Sequence, residues 1–284
     1  MNYKTIWTIL RQTFGAWNDH EAPRLGAALA FYTTLSLAPL VVLLTAIVGL
    51  IAGHSTAESQ LLTQVQETVG PQGANLVKEM IKATQKPASG AIASVIGVMT
   101  LLFGASGVFG ELRAALNKMW DIKPRSGGVW ETIKQRIFSV GMVLAVGFLL
   151  LVSLVMSTAL SALGKFFGGI LPLPEWVLSA IDLLVSWGGT TVLFAFIFKY
   201  VPEAKISWRY VWPGAAFTAL LFSIGKFLIG LYLGKAAVGS AYGAAGSLVV
   251  VIVWVYYSSM IFMFGAEFTH MLEVFGHGQS ANRT

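Results

Sequence analysis

The stretch from Ala244 to Ala266 reads AAGSLVVVIVWVYYSSMIFMFGA and contains no charged residue. A helix needs about 20 consecutive apolar residues to cross the hydrocarbon of a bilayer, and this run is long enough. It is not a uniform apolar rod. Gly243, Gly246 and Gly265 lie near its ends, where small residues let a neighbouring helix come close. Trp254, Tyr256, Tyr257, Ser258 and Ser259 put hydrogen-bonding groups near its middle, and Glu267 closes it with a carboxylate. An anchor needs only the apolar residues. This segment is expected to pack against other helices and to present polar groups as well.

The rest of the chain fits the same solvent. Only 11% of the 284 residues are charged and 56% are hydrophobic, against about 25% charged in a soluble domain. The length is therefore read as a number of spanning helices rather than as soluble domains. The expected fold is all-α, a polytopic membrane protein with six transmembrane helices in a single membrane domain. The spans are placed at about Leu25–Ala52, Ala88–Gly110, Ile137–Leu163, Trp176–Tyr200, Val211–Leu233 and Ala244–Ala266.

Two further helical segments are expected outside the spans. Near the start, Ile6, Ile9, Leu10, Phe14 and Trp17 recur at helical spacing with Lys4 and Arg11 off that stripe. This predicts an amphipathic N-terminal helix lying in the membrane interface. Residues 53–86 are too polar to span. Leu61, Leu62, Val65 and Val69, then Leu76, Val77, Met80 and Ile81, predict two short amphipathic helices broken at Gly70–Pro71, forming a helical periplasmic loop. Pro39 is expected to kink the first span, whose Tyr32 and Ser36 make one side polar.

Orientation follows from Lys and Arg. With the N-terminus inside, the inner set is Lys4, Arg11, Arg24, Arg113, Lys118, Lys123, Arg125, Lys134, Arg136, Lys199, Lys205, Arg209 and Arg283, which is 13 residues. The outer set is Lys78, Lys82, Lys86, Lys165 and Lys235, which is 5, with Lys226 left inside the membrane. The excess places both termini in the cytoplasm, and it accounts for the net charge of +6 without nucleic acid.

Four segments together carry a family resemblance: AALAFYTTLSLAPL at Ala27–Leu40, LRAALNKMWDI at Leu112–Ile122, the YVPEAKISW loop at Tyr200–Trp208, and SAYGAAGSLVVVIVWVYYSSMIFMFGAEF at Ser240–Phe268. In this order they resemble the YihY/BrkB family of bacterial inner-membrane proteins, and the likeness covers nearly the whole chain. It implies six membrane helices with cytoplasmic termini, in the bacterial inner membrane. It implies little about activity, since members have been labelled virulence factors, transporters and, by an older assignment, ribonuclease BN.

The nuclease reading finds no support in the residues. A metal-dependent nuclease needs His and carboxylate ligands clustered around an ion. The four histidines, His20, His54, His270 and His277, show no ligand spacing relative to one another. No H-E-x-x-H, G-x-S-x-G or Walker-type glycine loop occurs. The basic stretch Arg113–Arg136 has only Trp120 and Trp130 among its aromatics, which suits anionic lipid better than RNA. The chain is read as no enzyme, with no cofactor or metal, and with membrane lipids, anionic ones foremost, as its partners.

The remaining candidates are polar groups in the spans. Charges at such depth cost about 2.5–3.5 kcal/mol on insertion scales, so they face a partner or water. Asp182 and Lys226 lie roughly 9 Å and 11 Å of helix rise from the outer ends of neighbouring spans, at similar depths. They are expected either to pair or to face a cavity in which Lys226 draws an anionic group. Gly188 and Gly189, between Ser186 and Thr190, resemble the interrupted helices of transport sites, though they also suit tight packing. Tyr32, Tyr256 and Tyr257 complete the candidate substrate-binding set. Glu111, Arg113, Lys199 and Glu267 form a charge cluster expected at the cytoplasmic end. Two functions follow: a transporter or lipid-handling protein with a cavity for an anionic or amphipathic solute, or a non-transporting scaffold for envelope integrity.

The charge count makes a topology prediction. A reporter fused after Arg283 and a label at Gly127 should both report cytoplasm, and a label at Gly73 the opposite side. A C-terminal reporter on the far side would overturn the six-span arrangement.

Overall fold

The computed structural model describes residues 3–52, 54–85, 107–122, 175–235 and 245–281. Among them there are helices and no strands: α1 (Tyr3–Asp19), α2 (Ala22–Ala52), α3 (His54–Val69), α4 (Pro71–Gln85), α5 (107–119), α6 (Glu175–Tyr200), α7 (Trp208–Lys235) and α8 (Gly246–Ala281). The expected span at Ile137–Leu163, and all but the last residues of the one at Ala88–Gly110, lie outside the described residues. The chain forms two compact units: Met1–Ala16 with Leu116–Leu221 and Phe264–Thr284, and Trp17–Ala115 with Phe222–Met263.

In the second unit, α2, α3 and α4 pack on one another. The break between α3 and α4 falls at Gly70, whose φ of 95° is open to glycine at little cost. Pro71 then starts α4, at the helix position where a missing N–H costs nothing. Val41, Val77 and Ile81 form a buried cluster against which Leu61, Leu62, Val65 and Met80 pack. Each such side chain contributes about 1.5–3 kcal/mol when fully buried. Lys78, Glu79 and Lys82 stay exposed on the other face of α4, so the amphipathic spacing of this segment becomes its packing. In α2, Thr34 Oγ1 donates to the Ala30 carbonyl at 2.7 Å and Ser36 Oγ to that of Thr33 at 2.9 Å. These hydroxyls are satisfied by their own helix, which runs on without interruption past Pro39.

In the first unit, the start of α7 and the end of α8 cross through two Gly-x-x-x-Thr stretches, Gly214–Thr218 and Gly265–Thr269. Thr218 Oγ1 donates to the Gly214 carbonyl at 2.7 Å, and Thr269 Oγ1 to that of Gly265 at 2.8 Å. A Cβ at Gly214 would collide with Thr269, and one at Gly265 would collide with Thr218. The contact is thus reciprocal: each helix presents its glycine to the other's threonine. Phe217 continues the seam against Phe268, with ring centroids 4.2 Å apart, and Tyr210 lies against Gly276.

Glu267 closes the uncharged run but not the helix that carries it, since α8 runs on to Ala281. No proline follows Ala266, and the glycine at 276 is covered by Tyr210, so nothing stops the helix there. The end of α5 is set by Asp121 at φ 53°. Ile122 N–H donates to the Asn117 carbonyl at 2.8 Å and Asp121 N–H to that of Lys118 at 3.1 Å, the Schellman pattern that ends a helix.

Large apolar side chains cover much of the surface. On α7, Leu220, Ile224, Phe227, Leu228, Leu231 and Tyr232 are exposed, while the opposite side is buried at Gly225 and Ile229. By length and composition, Trp208–Tyr232 and Gly246–Gly276 can each cross a membrane. On α1, Ile9 and Thr13 are buried, whereas Ile6, Trp7 and Phe14 are exposed. The expected stripe is therefore divided, with one edge packed on protein and the other left for an apolar surrounding.

The Gly–Thr crossing is testable by double substitution. Gly265→Ala should lower stability by about 1–3 kcal/mol through overpacking. Adding Thr218→Ala should recover most of that loss, because the new methyl fills the vacated space. Gly214→Ala with Thr269→Ala should behave alike. Thermal unfolding in detergent reads both, and strictly additive losses would rule out the contact.

Candidate functional site

Three of the segments that carry the family resemblance meet in the first unit. The end of α5 supplies Asn117, Trp120 and Asp121; the last turn of α6 supplies Lys199 and the α6–α7 connection Glu203 and Ile206; α8 supplies Glu267 and His270. Asn117 Oδ1 accepts the Glu203 backbone N–H at 2.9 Å, which ties the α5 terminus to the loop. Trp120 lies between Phe198 and His270, with ring centroids 6.2 Å and 6.1 Å away. Lys199 Nζ donates to the Ile206 carbonyl and stands 5.8 Å from the centre of the Trp208 ring.

At the centre is an acid with no exposure to solvent. Glu267 is 0% exposed, and its Oε1 lies 3.8 Å from His270 Nδ1 one turn along α8. Gly265, Ala266, Phe268 and Thr269 around it are also buried, so α8 is enclosed on all sides at this level. A carboxylate in such surroundings is costly to leave without a partner, and the His270 imidazole stands on the same helix face one turn on. Among the described residues no three His, Cys, Asp or Glu side chains gather to hold a metal ion.

The residues expected from sequence are distributed as follows. Of the charge cluster, Lys199 and Glu267 belong to the first unit, with Lys199 bound to the α6–α7 loop; Glu111 and Arg113 are half-buried on α5 in the second. Tyr32 packs on Gly107, Tyr256 on Gly26 and Tyr257 on Gly225, all within the second unit. Lys226 is exposed on α7. Asp182 is in α6, but its side chain lies outside the described residues, and so does its expected pairing with Lys226. Gly188 and Gly189 do not interrupt α6, because Thr190 and Thr191 donate to the Ser186 and Trp187 carbonyls at 2.8 Å within a continuous helix. Among the described residues, a Cβ at either glycine meets nothing within 4 Å.

Sequence reasoning passed over Asn117, Trp120 and His270 as site residues. The i, i+3 spacing of Glu267 and His270 was a usable sign, since such residues share a helix face. The meeting of Trp120 with His270 had none, because it joins residues far apart in the chain.

The described residues are helical, and two of the helices are long and apolar enough to cross a membrane. The virulence factor BrkB family matches residues 13–283, and the chain belongs to that family. It is 24% identical over 270 residues to the ribonuclease-like protein YfkH of Bacillus subtilis, covering 93% of this chain and 95% of that one. It is 23% identical over 275 residues to the UPF0761 membrane protein MS0032 of Mannheimia succiniciproducens, covering 95% and 92%. A UPF0761 membrane protein of Psychromonas ingrahamii is 27% identical over 260 residues, with 89% and 84% covered. No solved structure matches the chain.

The Asn117–Glu203 contact predicts a local effect. Asn117→Ala should cost about 1 kcal/mol, the net value of one hydrogen bond. Amide exchange at Glu203 should quicken while that of the Gly214–Thr218 stretch stays unchanged. Unaltered exchange at Glu203 would show that Asn117 does not hold the loop.

Proposed function

We propose that this protein handles an anionic amphipath within the membrane, with Lys226 supplying the charge that draws it. The supporting observation is the position of Lys226 on α7: it is exposed, between Ile224 and Phe227 with Leu228, which are exposed and apolar. A lone ammonium on an apolar surface is costly in hydrocarbon, and an anionic headgroup whose chains lie along the same surface offsets that cost. This favours an amphipath over a small soluble ion, and approach from the face of α7 over a fully enclosed site. Asp182, Gly188 and Gly189, expected from the sequence to serve the same solute, can be substituted singly in reconstituted vesicles. The bacterial inner membrane, six spans and cytoplasmic termini are part of this reading.

The scaffold reading has one observation in its favour. Tyr32, Tyr256 and Tyr257, which the solute reading needs, each lie against a glycine of another helix and so also serve packing. Reconstituted vesicles separate the two readings. Wild-type protein should move fluorescent phosphatidylglycerol between leaflets, Lys226→Ala should slow this about tenfold or more, the equivalent of roughly 1.4 kcal/mol, and Lys226→Arg should retain it. Protein that is folded but moves neither lipids nor small solutes would establish the scaffold instead.

A further inference from the structure

We infer that the junction of α6 and α7 is a binding site for an anionic phospholipid headgroup, separate from Lys226. Phe196, Tyr200, Trp208 and Trp212 form a ledge of exposed aromatic rings there. Tyr200 stacks on Phe196 at 5.6 Å, Trp208 on Trp212 at 5.8 Å, and Trp208 meets Tyr200 edge-on at 6.2 Å. Exposed rings locked against one another are a preformed surface and not mobile side chains that happen to face outward. Tyr and Trp suit the level of the headgroups, where an apolar ring and a polar tip are both accommodated.

The charge beside the ledge selects the ligand. The stretch from Lys199 to Arg209 carries Lys199, Lys205 and Arg209 against a single acid, Glu203. Lys205 and Arg209 are exposed. On α7, Trp208, Arg209 and Trp212 fall within an arc of about 100°, since each residue advances by about that angle. Lys199 is held over Trp208 by its bond to the Ile206 carbonyl, so its charge is fixed at the ledge. Two turns further along α7, Leu220 is exposed. The order from loop to helix is therefore cation, aromatic ring, aliphatic side chain. A phospholipid has the same order: phosphate, glycerol, acyl chain. A free phosphate would use only the first part and leave the ledge uncovered.

The full-length protein in detergent micelles can be titrated with short-chain phosphatidylglycerol and, separately, with short-chain phosphatidylcholine. Wild type should prefer the anionic lipid. Lys205→Gln and Arg209→Gln should each weaken that preference ~5-fold, and together ~25-fold, as expected for basic residues at an anionic surface. Arg209→Lys should keep most of it. Trp208→Leu with Trp212→Leu should weaken binding of both lipids. Lys226→Ala should leave all of these values unchanged, which separates this site from the proposed function. All the side chains replaced at the ledge are exposed, and unchanged thermal unfolding would confirm that folding is intact. Equal binding of the two lipids by wild type would overturn the assignment. So would an unaltered preference in the doubly neutralised variant, or displacement of the lipid by millimolar inorganic phosphate.

Discussion

The reciprocal contact of Gly214 with Thr269 and Gly265 with Thr218 is the constraint on which the first unit depends. Each glycine removes a side chain where the facing threonine needs the volume, and each threonine hydroxyl is satisfied by the carbonyl of its own helix. The two helices can therefore approach closely without leaving a polar group unpaired. In an apolar surrounding this matters more than added hydrophobic area, since lipid tails are as apolar as the side chains they would replace. The crossing fixes the phase of α8. Gly265 and Thr269 take the side toward α7, and Glu267, about 200° away around the helix, points elsewhere.

That phase is what buries the acid. Glu267 and His270 lie on a common face of α8, and the Trp120 ring approaches His270 from the end of α5. The α5 end is itself fixed by Asp121 in the left-handed conformation and by the Asn117 bond to the α6–α7 loop. The surroundings of His270 are thus set by elements from separate parts of the chain, α8 itself and the end of α5 that the α6–α7 loop holds.

The surface follows a different rule from the core. Apolar residues on α7 face outward in numbers that water would not tolerate at one patch. The same exposure is ordinary when hydrocarbon is the solvent. Within it, charges are informative because they are few. Lys226 lies on α7 beside the exposed Ile224, Phe227 and Leu228, while Lys205 and Arg209 stand beside Tyr200, Trp208 and Trp212. Both positions fit anionic lipid, one within the apolar face and one at its edge.

By itself the sequence determined what depends on local spacing and solvent. The uncharged run at Ala244–Ala266, the break at Gly70–Pro71 and the alternation of apolar and charged residues in α4 were legible because each is a property of neighbouring residues. The membrane class and the family were legible for the same reason, through four segments read in order. Other features were decided only by tertiary structure. The sequence marks Gly265 as a place of close approach without its partner and leaves Gly214 as one glycine among thirty; only the packed helices show the threonine that faces each. The continuation of α8 past Glu267 goes with the packing of Tyr210 on Gly276, a contact between residues far apart in the chain. That Tyr32, Tyr256 and Tyr257 also pack on glycines of other helices was decided by tertiary structure alone. Spacing along one helix gives the direction of a side chain, but only the neighbouring helices decide whether it meets protein, lipid or a charge.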